Sequence, residues 1–315
     1  MNNAIIIIMK TAVLIPCYNE EKTIKDVVAD FHRELPDADI YVYENNCTDK
    51  TVERAKEGWS GVQIRHEYRQ GKGNVIRSMF RDINADQYLL VDGDDTYPVE
   101  KAKEMLKLVE DGRADMVVGD RLATTYFKEN KRPFHNIGNK LVCWLIRHLF
   151  KTRVHDIMTG YRAFSHDFVK GFPVISHGFE IETEMTIHAV DKNYKIVEIP
   201  VEYRDRPKGS SSKLNTVSDG LRVLHTIAKL FKEYKPMRFF NIIALIFYIA
   251  GIILMFPAFE EYFVSHFVTK VPRLMIGALS VVLGLLLTIT GIILDVIIKK
   301  QREEYEITMT MMKMK

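Results

Sequence analysis

Gln87-Tyr88-Leu89-Leu90-Val91-Asp92-Gly93-Asp94-Asp95-Thr96-Tyr97-Pro98 is a short apolar run that delivers three carboxylates to one strand end and is then stopped by proline. Alternation along an extended backbone puts Asp92 and Asp94 on the same side, and Gly93 between them lets a ligand approach the main chain closely. Hard oxygen ligands so arranged suit Mg2+ or Mn2+, whose usual partner is a substrate diphosphate. Asp and Gly are also ordinary turn residues, so the same letters alone fit a solvated turn. The surrounding chain decides between the two.

Around this segment, the first two hundred residues alternate strand-like and helix-like stretches, which predicts an α/β domain with a largely parallel sheet. Thr11–Ile15 reads as the first strand, and after it Ile24, Val27, Val28, Phe31 and Leu35 recur at helical spacing. Ile40–Tyr43, Val62–His66, Gln87–Val91 and Met116–Val118 read as further strands, with a helix beginning near Thr48. In open α/β sheets ligands bind beyond the carboxyl ends of the strands. Asn19, Glu44 and Asp94 all fall on that edge.

The 315 residues are 47% hydrophobic, but unevenly so. Phe239–Phe259 and Leu274–Leu294 are each 21 residues without a charge, about the length that crosses a bilayer. Lys232, Lys235 and Arg238 precede the first and Lys299, Lys300 and Arg302 follow the second, which by the positive-inside rule predicts an integral membrane protein with both termini cytoplasmic. Upstream, Leu214, Val217, Leu221, Leu224, Ile227, Ala228 and Phe231 form one stripe opposite Arg222, Lys229 and Lys232. Such a helix suits a membrane surface, although core packing produces the same pattern. Ile137–Phe150 has a similar character. Ala4–Met9 is followed by Lys10 and a strand, so it reads as an extra strand or an upstream start and not as a cleavable signal. Cys17, Cys47 and Cys143 are odd in number without paired metal spacing, which fits a reducing compartment. A net charge of +3 is too small to point to nucleic acid, whereas the basic flanks suit anionic lipid headgroups.

Further motifs give the chain a family likeness. Pro16-Cys17-Tyr18-Asn19-Glu20, Glu44-Asn45-Asn46-Cys47-Thr48-Asp49, Gly71-Lys72-Gly73-Asn74, Asp92-Gly93-Asp94, Gly119-Asp120-Arg121, Asp156-Ile157-Met158-Thr159-Gly160-Tyr161-Arg162, Gly178-Phe179-Glu180-Ile181-Glu182 and the Arg206–Lys213 loop follow one another in order. Together they resemble the family 2 glycosyltransferases of GT-A fold, and within them the polyprenyl-phosphate glycosyltransferases, over about residues 11–235. The resemblance implies a nucleotide-sugar site formed by Pro16, Tyr18, Asn19, Glu20, Glu44, Asn45, Lys72, Asp92, Gly93, Glu180 and Glu182. It implies Mg2+ or Mn2+ held by Asp94 with Asp92 near ribose or metal, and Asp156 as base or acceptor organiser. Arg121, Arg162, Arg206 and Lys213 are implied to cradle phosphates. Glu44 and Asn45 depart from the family's paired aspartates, but both still accept a hydrogen bond from a base N–H.

The expected protein therefore has a GT-A, Rossmann-like α/β catalytic domain over residues 1–213 and an amphipathic juxtamembrane helix over 214–238. Two transmembrane helices over 239–298 and a cytoplasmic tail over 299–315 complete it. The expected reaction is inverting transfer of a hexose from a nucleotide diphosphate sugar to a polyprenyl phosphate, undecaprenyl or dolichyl, at the cytoplasmic face. The Asp-Gly-Asp-Asp-Thr-Tyr-Pro form is more similar to relatives using UDP-glucose or UDP-N-acetylglucosamine than to those using GDP-mannose, so a UDP-sugar is expected, with GDP-mannose the alternative. A processive polysaccharide synthase is the rival enzyme, disfavoured because neither Trp59 nor Trp144 lies in a Gln-x-x-Arg-Trp segment. A non-catalytic membrane scaffold is the rival outside catalysis. A homo-oligomer is left open.

Overall fold

A computed structural model describes residues 9–124, 133–204 and 216–313, with backbone alone for 133–140, 216–223 and 312–313. The described residues contain β1 (Thr11–Cys17), α1 (Ile24–Glu34), β2 (Asp39–Glu44), α2 (Thr51–Gly58), β3 (Gln63–His66), α3 (Lys72–Asp82), β4 (Gln87–Leu90), α4 (Ala102–Glu110), β5 (Met116–Asp120) and α5 (Pro133–Phe150). These are followed by β6 (Arg162–Ser165), α6 (His166–Gly171), α7 (Ile181–Asp191), β7 (Ile196–Pro200), α8 (Thr216–Tyr234), α9 (Pro236–Ser265) and α10 (Val271–Lys313). Two compact units result, Met1–Thr226 and Ile227–Lys315.

In the first unit, the near-continuous apolar run of β1 is buried on both faces, as a central parallel strand requires. Val13 and Ile15 face a core built with Val27, Val28 and Phe31 of α1 and Met105 and Leu106 of α4. Ala12 and Leu14 face the opposite core of Ile76 and Met79 of α3, Phe168 of α6 and Met185 of α7. The sheet order is β3-β2-β1-β4-β6-β5-β7. Chain order reverses between β1 and β4, which makes the carboxyl ends of those two strands the expected crevice for a ligand.

The sequence reading found five of the strands but neither β6 nor β7. β6 runs antiparallel between β4 and β5, with Arg162 opposite Leu90 at the end of β4. A strand entering in that direction brings the preceding turn, Asp156–Tyr161, to the same edge as Asp92 and Asp94. Its four residues are too few to show a period.

The second unit holds α9 and α10, two helices long and apolar enough to cross a membrane. Buried Ala244, Gly251 and Ala258 recur every seven residues on α9, and Gly277, Gly284 and Gly291 do the same on α10. A Cβ on Gly251 would lie 2.9 Å from the Gly277 carbonyl oxygen, so the backbones meet where side chains are absent. The Tyr248 hydroxyl meets the Thr288 hydroxyl across this seam at 3.1 Å. Ile246 and Leu286, pointing away from it, are exposed. α10 continues without a break through the segment expected to be a tail.

Candidate active site

The loops after β1 and β2 are hydrogen-bonded to each other. Asn19 takes a left-handed backbone (φ 55°), which a short polar side chain tolerates, and its Oδ1 accepts from the Thr48 N–H at 2.8 Å. The Glu20 N–H donates to Thr51 Oγ1 at 2.8 Å. Tyr18 stands at the rim with 39% of its surface exposed. Pro16 is different: it lies buried inside β1 opposite Tyr43, so it shapes the strand and offers no side chain to a ligand.

Glu44 uses one carboxylate oxygen on His66 Nδ1 and the other on the Cys47 N–H at 3.0 Å. Asn45 departs from expectation. Its amide nitrogen donates to the Glu67 and Arg69 carbonyls at 2.7 and 2.9 Å. Its oxygen accepts from the Gly71 N–H at 2.7 Å and Gln70 Nε2 at 3.1 Å. A buried side-chain amide so engaged holds the 67–71 loop onto β2 and does not face a base. In that loop Arg69 grips Glu67 at 2.9 and 3.1 Å, and those bonds hold the Glu67 carboxyl down at about 2 although burial opposes them.

At the end of β4, Asp94 is buried and its Oδ1 accepts from the Thr96 hydroxyl at 2.7 Å and the Thr96 N–H at 3.3 Å. The Gly93 carbonyl accepts from Thr23 Oγ1 at 2.6 Å, and a Cβ on Gly93 would lie 2.8 Å from Cys17 Sγ, so a larger residue would have to displace that thiol beside β1. Asp95 adopts φ 57°, and burial raises its carboxyl above the ordinary range against the opposing pull of Arg204.

Asp92 is held from below. The Lys72 ammonium, at the start of α3, lies 2.5 Å from Asp92 Oδ1 and 2.6 Å from Glu182 Oε1 in the first turn of α7. Burial alone would push the lysine down, but the two carboxylates outweigh it and the ammonium is held above its usual range. Burial raises Glu182, with Lys72 opposing. Glu180 sits just before α7, its Oε1 accepting from the Gly178 N–H at 3.2 Å.

Beside these carboxylates, Arg121 and Asp156 form a forked pair, Nε to Oδ2 at 2.7 Å and Nη2 to Oδ1 at 3.0 Å, with the Arg121 N–H on Oδ2 at 3.1 Å. Asp156 is completely buried. Its own N–H and that of His155 donate to Glu198 Oε1 at 3.1 and 2.7 Å, which fixes the turn. Tyr97 lies between the two groups: its hydroxyl accepts from the Gly160 N–H at 3.0 Å, and the Arg121 guanidinium carbon is 6.0 Å from its ring centroid. Another 5.9 Å contact puts that guanidinium over Tyr203.

Arg162 corrects the sequence reading. It is fully buried, donating to the Ile157 carbonyl at 2.6 Å, the Thr159 carbonyl at 3.0 Å and Thr186 Oγ1 at 2.9 Å, so it braces the turn from beneath and reaches no phosphate. Burial lowers its pKa to about 10. Arg206 and Lys213 lie outside the described residues. Sequence reasoning did not single out Thr96, Tyr97, Thr159 or Glu198. The Asp94-x-Thr96 spacing is a legible turn signal, but nothing local marks Glu198, which is 42 residues from its partner Asp156.

Among the described residues no group of three or more His, Cys, Asp or Glu side chains is placed to hold a metal ion. A cation of the Mg2+ type needs no such group, because one or two carboxylates hold it and substrate phosphates and water complete its shell. Asp94, fixed at a strand end, is a carboxylate of that kind.

A model of glycosyl transferase family 2 matches residues 12–172, just over half of the chain, and the chain belongs to that family. Glycosyltransferase AglJ of Haloferax volcanii is 29% identical over 296 residues, covering 93% of this chain and 95% of the relative. The dolichyl-phosphate hexose transferase of the same organism is 29% identical over 222 residues, covering 70% and 94%. In three dimensions, glucosyl-3-phosphoglycerate synthase of Mycobacterium tuberculosis, solved with Mn2+, UDP-glucose and phosphoglyceric acid, matches with a TM-score of 0.56. Its identity is 17% over 71% of this chain and 80% of that one, a likeness that establishes the GT-A-like fold.

Proposed function

We propose that this glycosyltransferase moves a hexose from a nucleoside diphosphate sugar to a polyprenyl phosphate, with inversion, at a membrane surface. The observation that carries the reading is the forked Arg121–Asp156 pair standing beside the Asp92–Asp94 strand end, in a chain that also holds two bilayer-length helices. The dolichyl-phosphate hexose transferase that covers most of the first unit supports the acceptor class. When bound, Mg2+ or Mn2+ on Asp94 would neutralise the leaving diphosphate.

The remaining roles belong to the chain. A phosphomonoester has a second pKa of about 6 and is mostly ionised at neutral pH, so its attack on the anomeric carbon needs no strong base. Asp156, with both oxygens on Arg121, orients that guanidinium toward the phosphates. Glu182 and Asp92, fixed by Lys72, face the sugar side. Each Glu44 oxygen carries one donor and keeps a lone pair for a base N–H, and a UDP-sugar is the proposed donor on the likeness of Asp92-Gly93-Asp94-Asp95-Thr96-Tyr97-Pro98 to relatives that use UDP-sugars. Arg302 Nη2 donates to the Tyr234 carbonyl at 3.1 Å, so the basic flanks of the helix pair lie at one end, as insertion with both termini cytoplasmic requires.

The test is a panel of radiolabelled UDP- and GDP-sugars given to full-length protein with polyprenyl phosphate. Label should enter the lipid phase from a UDP-sugar. Asp94→Asn should lower that transfer on the order of 100-fold, the scale of several kcal/mol of lost charge neutralisation. Normal turnover by that variant, or by wild type in excess chelator, refutes the metal role.

A further inference from the structure

We infer that Tyr97 and Tyr161 form a reciprocal clasp that sets the separation between Asp92, on the sugar side of the site, and the Arg121–Asp156 pair, and that Tyr97 is thereby a positioning residue for transfer. This rests on the transfer reading above and gives work to two hydroxyls that the proposed reaction leaves unused.

Three observations carry it. First, each tyrosine hydroxyl bonds a main-chain group of the other's turn: Tyr97 accepts from the Gly160 N–H at 3.0 Å, and Tyr161 donates to the Pro98 carbonyl at 3.1 Å. Both side chains are buried and their ring centroids lie 5.2 Å apart, so water does not compete for either bond. Two turns 63 residues apart in the chain are thereby bolted together.

Second, both halves of the site sit on that bolt. Gly160 lies against the sugar-side carboxylate, where a Cβ would fall 2.4 Å from Asp92 Oδ2. The Tyr97 ring centroid is 6.0 Å from the Arg121 guanidinium carbon, within cation–π range of the group that Asp156 holds in its fork. Third, the rest of the turn is held from other directions. Arg162 takes the Ile157 and Thr159 carbonyls from beneath, and Thr159 Oγ1 takes the Tyr161 N–H at 3.3 Å. The Tyr161 carbonyl accepts from the Gly119 N–H at 3.0 Å, which carries the clasp on to the segment bearing Arg121.

Direct displacement needs the attacking oxygen in line with the anomeric carbon, and a misplacement of about 1 Å costs on the order of 100-fold. Loosening the clasp should therefore slow transfer while the nucleotide sugar still binds, and leave that sugar open to attack by water.

The experiment gives full-length protein the labelled nucleotide sugar that wild type uses, with polyprenyl phosphate, and measures lipid-linked and free sugar side by side. Tyr97→Phe keeps the ring and orphans the buried Gly160 N–H. Its ratio of free to lipid-linked sugar should rise about tenfold or more, with kcat for transfer falling by a similar factor and the nucleotide-sugar KM within about threefold of wild type. Loss of folded protein lowers both products together and leaves the ratio unmoved. Tyr88→Phe is the control: it removes another buried hydroxyl, bonded to the Ala85 N–H at 2.9 Å and the Ile83 carbonyl at 3.2 Å, and should keep the wild-type ratio whatever it costs in thermal stability.

Folded Tyr97→Phe with a ratio within about threefold of wild type overturns the proposal, as does an equal rise in Tyr88→Phe. If Tyr97→Phe does not fold, Tyr161→Phe decides on the same terms. Wild type that puts no sugar on polyprenyl phosphate would remove the transfer reading and this proposal with it. Transfer by wild type with an unmoved ratio in the tyrosine variants would remove only this proposal.

Discussion

At the scale of single residues, the site depends on close approach as much as on charge. Gly160 places bare backbone against Asp92 and Lys72, so Gly160→Ala must displace one of them. We expect the donor KM to rise about tenfold or more, with thermal stability falling by about 1–3 kcal/mol as overpacking does. An unchanged KM in steady-state kinetics would show that the pair yields without consequence. His188 gives a pH signature of a different origin. Buried among Phe168, Phe172 and Tyr194, its imidazole is driven down to about 3 from 6.5. It stays neutral in the fold while the unfolded chain takes up a proton below pH 6.5, so its effect is absent above that pH and destabilisation grows as pH falls toward 3. Thermal unfolding from pH 7 to 5 should therefore drop more steeply in wild type than in His188→Phe. Equal slopes would discharge His188. The placement of Asp92 and Asp94 at one strand end was legible in sequence, because carboxylates that close a short apolar run announce themselves locally. Arg162 and Asn45 were misread for one reason: a polar residue in a motif is assigned to the ligand, whereas burial turns it toward orphan carbonyls of the turn it supports.

Among the elements, the parallel strands and their helices were readable because β1 and β2 are apolar enough to be central and α1 carries a clean helical stripe. β6 and β7 were missed, the one four residues long and the other carrying a glutamate, Glu198, in its centre. The helix hairpin was readable as two spans, yet the feature that fits them together is a seven-residue repeat of small residues on both helices. Gly251→Leu should disrupt that seam, since its Cβ already has the Gly277 carbonyl oxygen at 2.9 Å. A loss of about 1–3 kcal/mol is expected, measured as earlier unfolding in detergent, while an outward change such as Ile246→Leu should cost less than about 1 kcal/mol. If both variants unfold alike, the seam contributes nothing specific.

For the whole molecule, every described residue assigned to the site belongs to the first unit, while the apolar helices belong to the second. A chain ending at Lys235 should accordingly keep donor affinity by calorimetry, lose most transfer to a long polyprenyl phosphate in vesicles, and regain part of it on a short water-soluble prenyl phosphate. Loss of donor binding in a folded truncated protein would show that the helices help to build the site. The family, the fold and the two apolar helices could be read from the sequence because each rests on contiguous residues. The donor could not, because the loops that meet at the carboxyl edge of the sheet come from separate parts of the chain whose register only the fold sets. The most direct test of the central claim is the anomeric configuration of the lipid-linked product, determined by nuclear magnetic resonance after full-length protein has consumed an α-linked nucleotide sugar with polyprenyl phosphate present. Direct attack by the lipid phosphate predicts a β-linked sugar phosphate. An α-linked product, or free sugar with the lipid unchanged, would contradict it.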